Sequence, residues 1–447
     1  MNFLEAREYI RGLIRRGIKY ELSKMERLSE LLGKPERSIP WIHITGTNGK
    51  GSTAATLAAF LRGCGLSVGL FTSPHLVSIC ERFRVNGEDA SAEEFAKMVD
   101  SLRPAIETME KEEMGAPTFF EICTAGACLH FLEKKVDIAI AEVGLGGALD
   151  ATNVIQPLLT IISNVSWDHP KTLGGTYENI CRQKCGIIKE GVPLLCGVTQ
   201  GNLRKIVEDT CASKKANLHY LQDELALSHI RMNSGTGTSF ELEFTNEEGR
   251  HELTTPLLGP HQALNAAMAI AAARLLPNEL FREKGDGCFP RDDETWNRAL
   301  SLTRWEGRFQ IFSRNPTVVM DGGHNVEGVK TLVETWQSLF PNRKAIVVSG
   351  FSGDKLLGDI LALLRPICSK LILTKSENYR AADPHRLYHV ASEVDKNIPK
   401  LLVEQPGAAF DEARRLAKAD GHVLVTGSLY LIGSILAYER GLDGRGL

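Results

Sequence analysis

The sequence predicts an α/β protein with a large N-terminal domain built on a mostly parallel sheet and a smaller, Rossmann-like C-terminal α/β domain. Short apolar runs alternate with segments of helical period along most of the 447 residues. A glycine-rich turn at residues 46–51 joins the first such run to a helical segment. Glycine, proline and acidic residues interrupt the alternation at 284–304. We therefore predict two domains, residues 1–302 and 303–447.

The composition is that of a folded globular protein, with 43% hydrophobic and 24% charged residues. The 52 basic and 55 acidic residues give a net charge of −3, which argues against a general nucleic-acid binder. Residues 1–7 carry charges where a signal peptide needs an apolar core, and no uncharged apolar run approaches ~18 residues. We expect a cytoplasmic protein with neither nucleic acid nor membrane as a partner.

The ten cysteines are scattered and include no Cys-x-x-Cys pair. Cys181 and Cys185 are one helical turn apart, but two thiols without further ligands indicate core packing rather than a zinc site.

Each element of the N-terminal domain is predicted from its period and its flanking turn residues. The predicted order is helices within 2–33, a strand ending at 45, a helix after 52, a strand at 67–71, helices at 92–111 and 117–132, strands at 136–143 and 158–163, a helix at 177–184, a hairpin at 240–258 and a helix at 264–276.

The C-terminal domain shows the same alternation on a smaller scale, which predicts a mostly parallel sheet. Strands are predicted at 318–320, 345–349, 371–374 and 423–426, and helices at 326–339, 356–364, 408–417 and 429–438.

The first glycine-rich turn has the residues of a phosphate-binding loop. Gly46, Gly49 and Gly51 let backbone N–H groups approach anionic oxygens, and Lys50 adds a positive charge. The hydroxyl of Ser52 suits a divalent cation at the start of the helix. The spacing differs from the common P-loop, because Gly51 separates Lys50 from Ser52. The turn predicts a P-loop-type ATPase domain.

Polar residues end the next strands of the predicted sheet. Ser73, Glu142 and His169 each follow an apolar strand, and the carboxyl ends of parallel strands share one edge. A hydroxyl, a carboxylate and an imidazole beside phosphates suit Mg²⁺ ions that bridge nucleotide and substrate oxygens. The glycines at 144–147 lack the Gly-x-Gly-x-x-Gly pattern, which removes this evidence for a dehydrogenase.

Nine motifs in chain order give the sequence a specific resemblance to folylpolyglutamate synthase, including its bifunctional dihydrofolate synthase form, in the Mur ligase superfamily. They are Ile44–Ser52, Thr72–Leu76, Glu142–Gly147, Leu149–Asn153, Asp168–His169, Gln183–Ile187, His261–Asn265, Gly307–Phe309 and Asp321–Asn325. Two positions depart from the family pattern, because Ala148 stands where arginine is usual and Gly323 where alanine is usual.

The resemblance implies an ATP-dependent amide ligase that works in a cleft between two domains. ATP would phosphorylate a carboxylate of a reduced folate or dihydropteroate, and the amine of L-glutamate would attack the acyl phosphate. The family suggests a monomer that uses ATP and two Mg²⁺ ions.

The resemblance also assigns residues by position. Lys50, Glu142, His169 and Lys184 match catalytic positions. Gly46, Thr47, Asn48, Gly49, Lys50, Gly51, Ser52, Asn265, Arg308, Asp321 and His324 match ATP contacts. Ser52, Ser73, Glu142, His169 and Lys184 match metal ligands, with Lys184 as a carbamate. Leu22, Ser23, Lys24, Met25, Thr118, Phe119, Phe120, Glu121, Leu149, Asp150 and Ala151 match folate contacts.

Some alternatives stay open at this stage. Without the resemblance, Lys184 would be a lysine on a helix surface, and Phe119 and Phe120 could equally be core packing. The acceptor is left open between dihydropteroate, reduced folates and both.

Two other functions compete with the folate ligase. A Mur-type ligase acting on a cell-wall nucleotide precursor would carry a UDP-binding domain first, and we expect the 45 residues before Gly46 to be too few for it. A nucleotide-binding switch protein would not need the additional metal position implied by Glu142, His169 and Lys184.

Overall fold

A computed structural model describes residues 1–14, 21–112, 114–281, 289–376, 378 and 380–442. Cys288 and residues 284–288 of the predicted boundary stretch lie outside these ranges. The described residues form three sheets of eight, three and six strands, with helices on both faces of the two larger sheets. This confirms the predicted α/β class.

The eight-stranded sheet positions the phosphate-binding loop. In spatial order its strands are β4 (Glu88–Asp89), β3 (Phe83–Val85), β2 (Val68–Phe71), β5 (Ile138–Glu142), β1 (Trp41–Thr45), β6 (Leu159–Ile162), β7 (Leu194–Cys196) and β8 (Leu218–Tyr220). From β2 to β8 all neighbours are parallel, and only β3 and β4 pair in the antiparallel sense. The strands β2, β5, β1 and β6 are fully buried, as expected for a sheet covered on both faces.

Helices cover both faces of this sheet. They are α1 (Phe3–Ile14), α2 (Ser23–Leu31), α3 (Lys50–Gly63), α4 (Ala92–Lys111), α5 (Phe119–Glu133), α6 (Pro170–Leu173), α7 (Tyr177–Cys185), α8 (Gly201–Lys214), α9 (Leu221–Glu224), α10 (Pro260–Arg274) and α11 (Asp293–Ser301). One core contains α3, α10 and α11, and a second core contains α1, α2, α4 and α5.

The three-stranded antiparallel sheet contains the predicted hairpin plus one strand that the sequence analysis missed. Its order is β11 (His251–Thr255), β10 (Gly237–Phe244) and β9 (Leu225–Asn233). Alternate residues of β10 are buried against α10, whereas most of β9 is exposed or only partly buried. The weak apolar pattern of β9 follows from this exposure.

The six-stranded sheet has the order β12 (Gln310–Arg314), β13 (Thr317–Asp321), β17 (His422–Thr426), β14 (Ala345–Ser349), β15 (Cys368–Leu373) and β16 (Lys400–Leu402). All neighbours are parallel except β12 and β13. Its helices are α12 (Val326–Leu339), α13 (Leu357–Leu364), α14 (Pro384–Val394), α15 (Pro406–Ala417) and α16 (Leu429–Glu439). The sequence pattern does not predict β12, β16 and α14, which lie at the margins of the sheet.

The predicted boundary at residue 303 falls between α11, which packs on α3, and β12 of the six-stranded sheet. Within the described ranges, no helix combines the length and the apolar character needed to cross a membrane.

Candidate active site

The phosphate-binding loop connects β1 to α3 and is held by the segment after β6. Gly49 has φ 81°, a backbone conformation that favours glycine, and it precedes the first residue of α3. Asn48 N–H donates to Asn164 Oδ1 at 2.9 Å, and the hydroxyl of Ser163 donates to the Asn48 carbonyl at 2.7 Å. These bonds fix the loop at the carboxyl edge of the sheet.

Lys50 bends back over its own loop. Its Nζ donates to the carbonyls of Gly46 at 2.9 Å and Thr47 at 3.2 Å. Burial lowers the pKa of Lys50, and the carboxylate of Glu142 acts in the opposite direction. The two hydrogen bonds hold Nζ over the loop, where phosphate oxygens would accept hydrogen bonds from it.

Glu142 ends β5 and is buried, with 4% of its surface exposed. Its Oε2 accepts the backbone N–H of Ser73 at 3.1 Å, which joins the ends of the adjacent strands β2 and β5. Burial raises the pKa of Glu142, whereas Lys50 opposes that rise. The predicted meeting of strand ends at one edge is confirmed, because the parallel order β2, β5, β1, β6 places Ser73, Glu142 and the loop side by side.

Lys184 is not on a helix surface. It lies in the last turn of α7 and is 3% exposed. Among the described residues, no acceptor forms a hydrogen bond with its Nζ. Burial lowers the pKa of Lys184 well below its usual value, and the neighbouring ammonium of Lys50 lowers it further. The surface alternative is therefore wrong, and the structure holds a buried amine beside the loop.

Asp168 is the centre of a polar cluster that joins the eight-stranded and six-stranded sheets. Its Oδ1 is 2.5 Å from Nζ of Lys355, and its Oδ2 is 3.3 Å from Nε2 of His324. His169 Nδ1 lies 3.6 Å from Oδ2 of Asp354. Burial lowers the pKa of His169 to about 4, which keeps the imidazole neutral near pH 7. A neutral imidazole can act as a metal ligand.

Two further contacts tie the loop to the C-terminal part of the chain. Asn325 Nδ2 donates to Asn48 Oδ1 at 2.9 Å. The indole of Trp305 packs on Gly51 so closely that a Cβ there would lie 2.9 Å from the ring. The close approach of Trp305 therefore requires glycine at position 51.

The other predicted ATP positions lie around this junction. Asn265 Oδ1 faces Gly49, and Arg308 lies against Gly322. Asp321 accepts the backbone N–H groups of Phe309 and Gly323, each at 2.8 Å. Asp321 therefore shapes the junction through main-chain contacts. A cavity of about 350 Å³ opens beside Arg308 and Trp305.

The three predicted folate segments converge. Helix α2 contacts α5 and the turn Ala151–Val154. Several predicted side chains are committed to local structure: Thr118 and Glu121 form the capping box of α5, and Asp150 caps the turn that follows it. Lys24 Nζ donates to the Ala116 carbonyl at 2.9 Å. Burial raises the pKa of Glu121.

Both aromatic residues at the start of α5 are partly exposed and pack against the same core. Phe120 packs on Gly144 and on the ring of Phe71, at a centroid distance of 5.7 Å, as core packing predicts. Phe119 is partly exposed and lies under the guanidinium of Arg82, at 5.2 Å. Met25 is buried, whereas Leu149 is 46% exposed. Where the three folate segments meet, Phe119 and Leu149 therefore leave apolar surface accessible.

Cys181 and Cys185 pack in a buried apolar core, with their sulfur atoms 4.0 Å apart. This agrees with the predicted core packing. Within the described ranges, no group of three or more His, Cys, Asp or Glu side chains could hold a metal ion by itself. A metal at the sheet edge would therefore need ligands of other kinds.

The sequence matches two family models, the Mur ligase middle domain over residues 44–273 and the Mur ligase glutamate ligase domain over residues 307–429. It is 36% identical to the dihydrofolate synthase/folylpolyglutamate synthase of Bacillus subtilis (strain 168), over 97% of this chain and 98% of that protein. The chain belongs to this family of Mur ligases. It is also 29% identical to the folylpolyglutamate synthase of Lacticaseibacillus casei, over 97% of this chain and 98% of that one.

Solved structures of the family share the whole fold. The ADP complex of Mycobacterium tuberculosis folylpolyglutamate synthase has a TM-score of 0.87 at 28% identity, and the match covers 99% of this chain and 98% of that one. An FPGS-AMPPCP-folate complex has a TM-score of 0.80 at 28% identity, and the match covers 98% and 100% of the two chains.

Neither Lys355 nor Trp305 is predicted from the sequence as a site residue, and Asp168 and Asn325 stand out there only as members of motifs. Lys355 follows a strand of the C-terminal sheet, as Glu142 ends one of the N-terminal sheet. Its position after a strand was the available signal. The pairing with Asp168, 187 residues away, could not be read from spacing.

Proposed function

We propose that this protein is an ATP-dependent ligase that joins L-glutamate to a carboxylate of a folate or dihydropteroate through an acyl phosphate, releasing ADP and phosphate. One observation carries the proposal. The phosphate-binding loop meets both sheets, since Asn48 bonds Asn325 and Asp168 pairs with Lys355. A ligase needs such a junction because nucleotide, acceptor and amine must meet where water is excluded.

Relatives support the choice of ligands. Solved structures of the family include complexes with ADP, with AMPPCP and with AMPPCP and folate. The Bacillus subtilis relative is named for both dihydrofolate synthase and folylpolyglutamate synthase. We infer ATP as the phosphoryl donor and a pterin-bearing carboxylate as the acceptor.

The proposed chemistry has two steps. An oxygen of the acceptor carboxylate attacks the γ-phosphorus of ATP, and ADP leaves. The amine of glutamate then attacks the acyl carbon, loses a proton and expels phosphate. Lys50 and the backbone N–H groups of residues 49–51 would bind the phosphates and stabilise the transferring charge. Arg308 and His324 would complete the site from the C-terminal side.

The residues at the sheet edge fit Mg²⁺. Glu142 Oε2 accepts one backbone N–H, and no described group donates to Oε1, so this carboxylate oxygen is left for a cation. We propose Ser52, Ser73 and Glu142 around one ion and His169 with Lys184 as a carbamate at a second. Bound Mg²⁺ would neutralise charge on the transferring phosphoryl group.

Glu142→Gln should lower turnover about 100-fold or more and raise the Mg²⁺ concentration needed for half-maximal rate, because a charged ligand is lost. Initial rates measured across a magnesium titration test this. An unchanged magnesium dependence would place the ion elsewhere. The exposed Glu107, replaced by Gln, is the control.

The environment of Lys184 supports carbamylation. A neutral amine is the form that attacks CO₂, forming an N–C bond and releasing a proton, and burial beside Lys50 favours that form. The product is an anionic oxygen ligand. Lys184→Ala should lose most activity and recover part of it in small carboxylates, which replace the carbamate. In the control Lys205→Ala, at an exposed site, activity should neither fall with the substitution nor rise with added carboxylates. Full activity of Lys184→Ala without added carboxylates would refute carbamylation of Lys184.

The direct test of the function is coupled turnover. ADP release should require both L-glutamate and a folate-type acceptor, and parallel assays with dihydropteroate and tetrahydrofolate decide which acceptors are used. ATP hydrolysis indifferent to both would overturn the proposal and favour a nucleotide-binding switch. The other Mur-type ligase predicts turnover with a cell-wall nucleotide precursor instead.

We further propose two domains, residues 1–302 and 303–447, in a monomer that acts in the cytoplasm. The shift from the eight-stranded to the six-stranded sheet near residue 303 supports the division. Sedimentation analysis and limited proteolysis near residue 303 test these statements.

A further inference from the structure

Arg82 is a buried cation that the proposed mechanism does not yet use. It ends the turn Ile79–Arg82 that leads into β3, and 7% of its surface is exposed. Its Nε donates to Nδ1 of His75 at 2.9 Å, and its guanidinium lies 5.2 Å from the ring centroid of Phe119. Within the described part of the chain, no carboxylate forms an ion pair with it.

The adjacent carboxylate is already occupied. Glu81 accepts three backbone N–H groups, those of residues 76, 77 and 78, at 2.7 to 2.8 Å. These bonds close the loop between β2 and β3 and hold Glu81 on the main chain. The neighbouring charges of Glu81 and Arg82 therefore do not neutralise each other, and the loop holds the guanidinium in place.

His75 is a neutral partner for this cation. Because Nδ1 of His75 accepts the Nε–H of Arg82, that nitrogen carries no proton. A guanidinium has five N–H donors, and His75 uses one of them. The charge of Arg82 acts on the buried Glu142, whose pKa it lowers, but no described carboxylate pairs directly with the guanidinium. The donors that His75 leaves are therefore available to an anionic ligand that arrives from outside the chain.

The order of the strands indicates which anion this is. Along the carboxyl edge the order is β3, β2, β5, β1, so Glu142 at the end of β5 lies between Arg82 and the phosphate-binding loop. Phosphates on the loop would lie on one side of Glu142, and Arg82 lies on the other. Phe119, at the start of α5, provides a flat apolar surface on that second side.

We propose that Arg82 binds the carboxylate of the folate-side acceptor, the group that receives the phosphoryl group. This inference rests on the proposed function. A guanidinium binds a carboxylate through two parallel N–H···O bonds, which would hold one oxygen towards the γ-phosphate while the pterin end extends past Phe119. Lysine, a single point charge, would reproduce only part of this contact.

The test compares two acceptors that differ only at the carboxyl group, dihydropteroate and its neutral carboxamide, by calorimetric titration in the presence of AMPPCP. A charge-assisted bidentate contact gives the wild-type protein about a 10- to 100-fold preference for the carboxylate. In Arg82→Gln the preference should fall to about threefold or less, and Arg82→Lys should be intermediate. Arg103→Gln, which changes an exposed arginine paired with Glu107, should keep the full preference.

Three results would overturn the inference. Equal weakening of both acceptors in Arg82→Gln would mean that Arg82 only maintains the loop. A weaker affinity for AMPPCP with an unchanged acceptor preference would place its anion on the nucleotide. If Arg82→Gln does not fold, as shown by lost ADP binding, an unchanged preference in Arg82→Lys would refute the contact. Wild-type protein that binds neither acceptor would instead refute the proposed function.

Discussion

The ion pair between Lys355 and Asp168 should hold the two sheets together at the active site. The two side chains are 7% and 10% exposed, and their N–O distance is 2.5 Å. Removing one partner of a buried pair typically costs about 3–5 kcal/mol. His324 and Asn325 remain near Asp168 after Lys355→Met, so we expect the lower end, about 3 kcal/mol, which corresponds to about a 100-fold change in an opening equilibrium.

Native-state hydrogen exchange measures this locally, without requiring the whole chain to unfold in one step. Peptides that contain residues 163–169 and 321–329 should exchange about 100-fold faster in Lys355→Met. Replacing both partners, in Asp168→Leu with Lys355→Met, should restore part of the protection because no charge is left unpaired. The exposed pair Lys205–Asp209, at 2.8 Å with 70% and 64% exposure, is the control and should show almost no coupling.

The pH dependence of this coupling has a defined sign. Burial by itself would raise the pKa of Asp168, but His324, Lys355 and His169 together hold it well below its usual range. The stabilisation that ionised Asp168 provides is therefore present above about pH 4 and is lost as the pH falls further. A double-mutant coupling energy between Asp168 and Lys355 below about 0.5 kcal/mol at pH 7 would refute this account, as would one equal to that of the exposed pair Lys205–Asp209.

Two further predictions follow from buried groups. Gly51→Ala places a Cβ 2.9 Å from Trp305, so we expect at least a tenfold lower kcat/KM for ATP, whereas Gly12→Ala, which meets nothing within 4 Å, should behave as wild type. Burial lowers the pKa of His43 to about 3, so its neutral form is favoured and stability falls as the pH drops below about 6.5. Between pH 6.5 and 5, His43→Leu should lose about 2 kcal/mol less free energy of unfolding in urea than wild type, whereas the exposed His389→Leu should lose as much as wild type. The same dependence of the unfolding free energy on pH in both variants would contradict the role of His43.

The sequence predicted the elements with the strongest local patterns. Helices α4 and α12 and strand β14 begin and end where their periods indicate, because capping residues and apolar alternation are local properties. Strands β9 and β16 were missed because they lie at sheet margins, where few side chains are buried and the apolar pattern is weak.

For the site, strand order was the decisive inference. Residues that follow parallel strands share an edge whatever the intervening sequence, so the proximity of Ser73, Glu142 and the loop could be predicted. The pairing of Lys355 with Asp168 and the isolation of Arg82 from Glu81 could not. Both depend on where the loops turn and on which backbone groups accept or donate.

By itself the sequence determined the α/β class, the phosphate-binding loop and the edge on which the site is built, because these follow from residue type, period and the geometry of parallel sheets. Only the tertiary structure decided that Lys184 is buried, that Trp305 closes over Gly51 and that no carboxylate in the described part of the chain pairs with Arg82. The physical reason is that burial and ion pairing depend on distances between segments far apart in the chain, which no local pattern encodes.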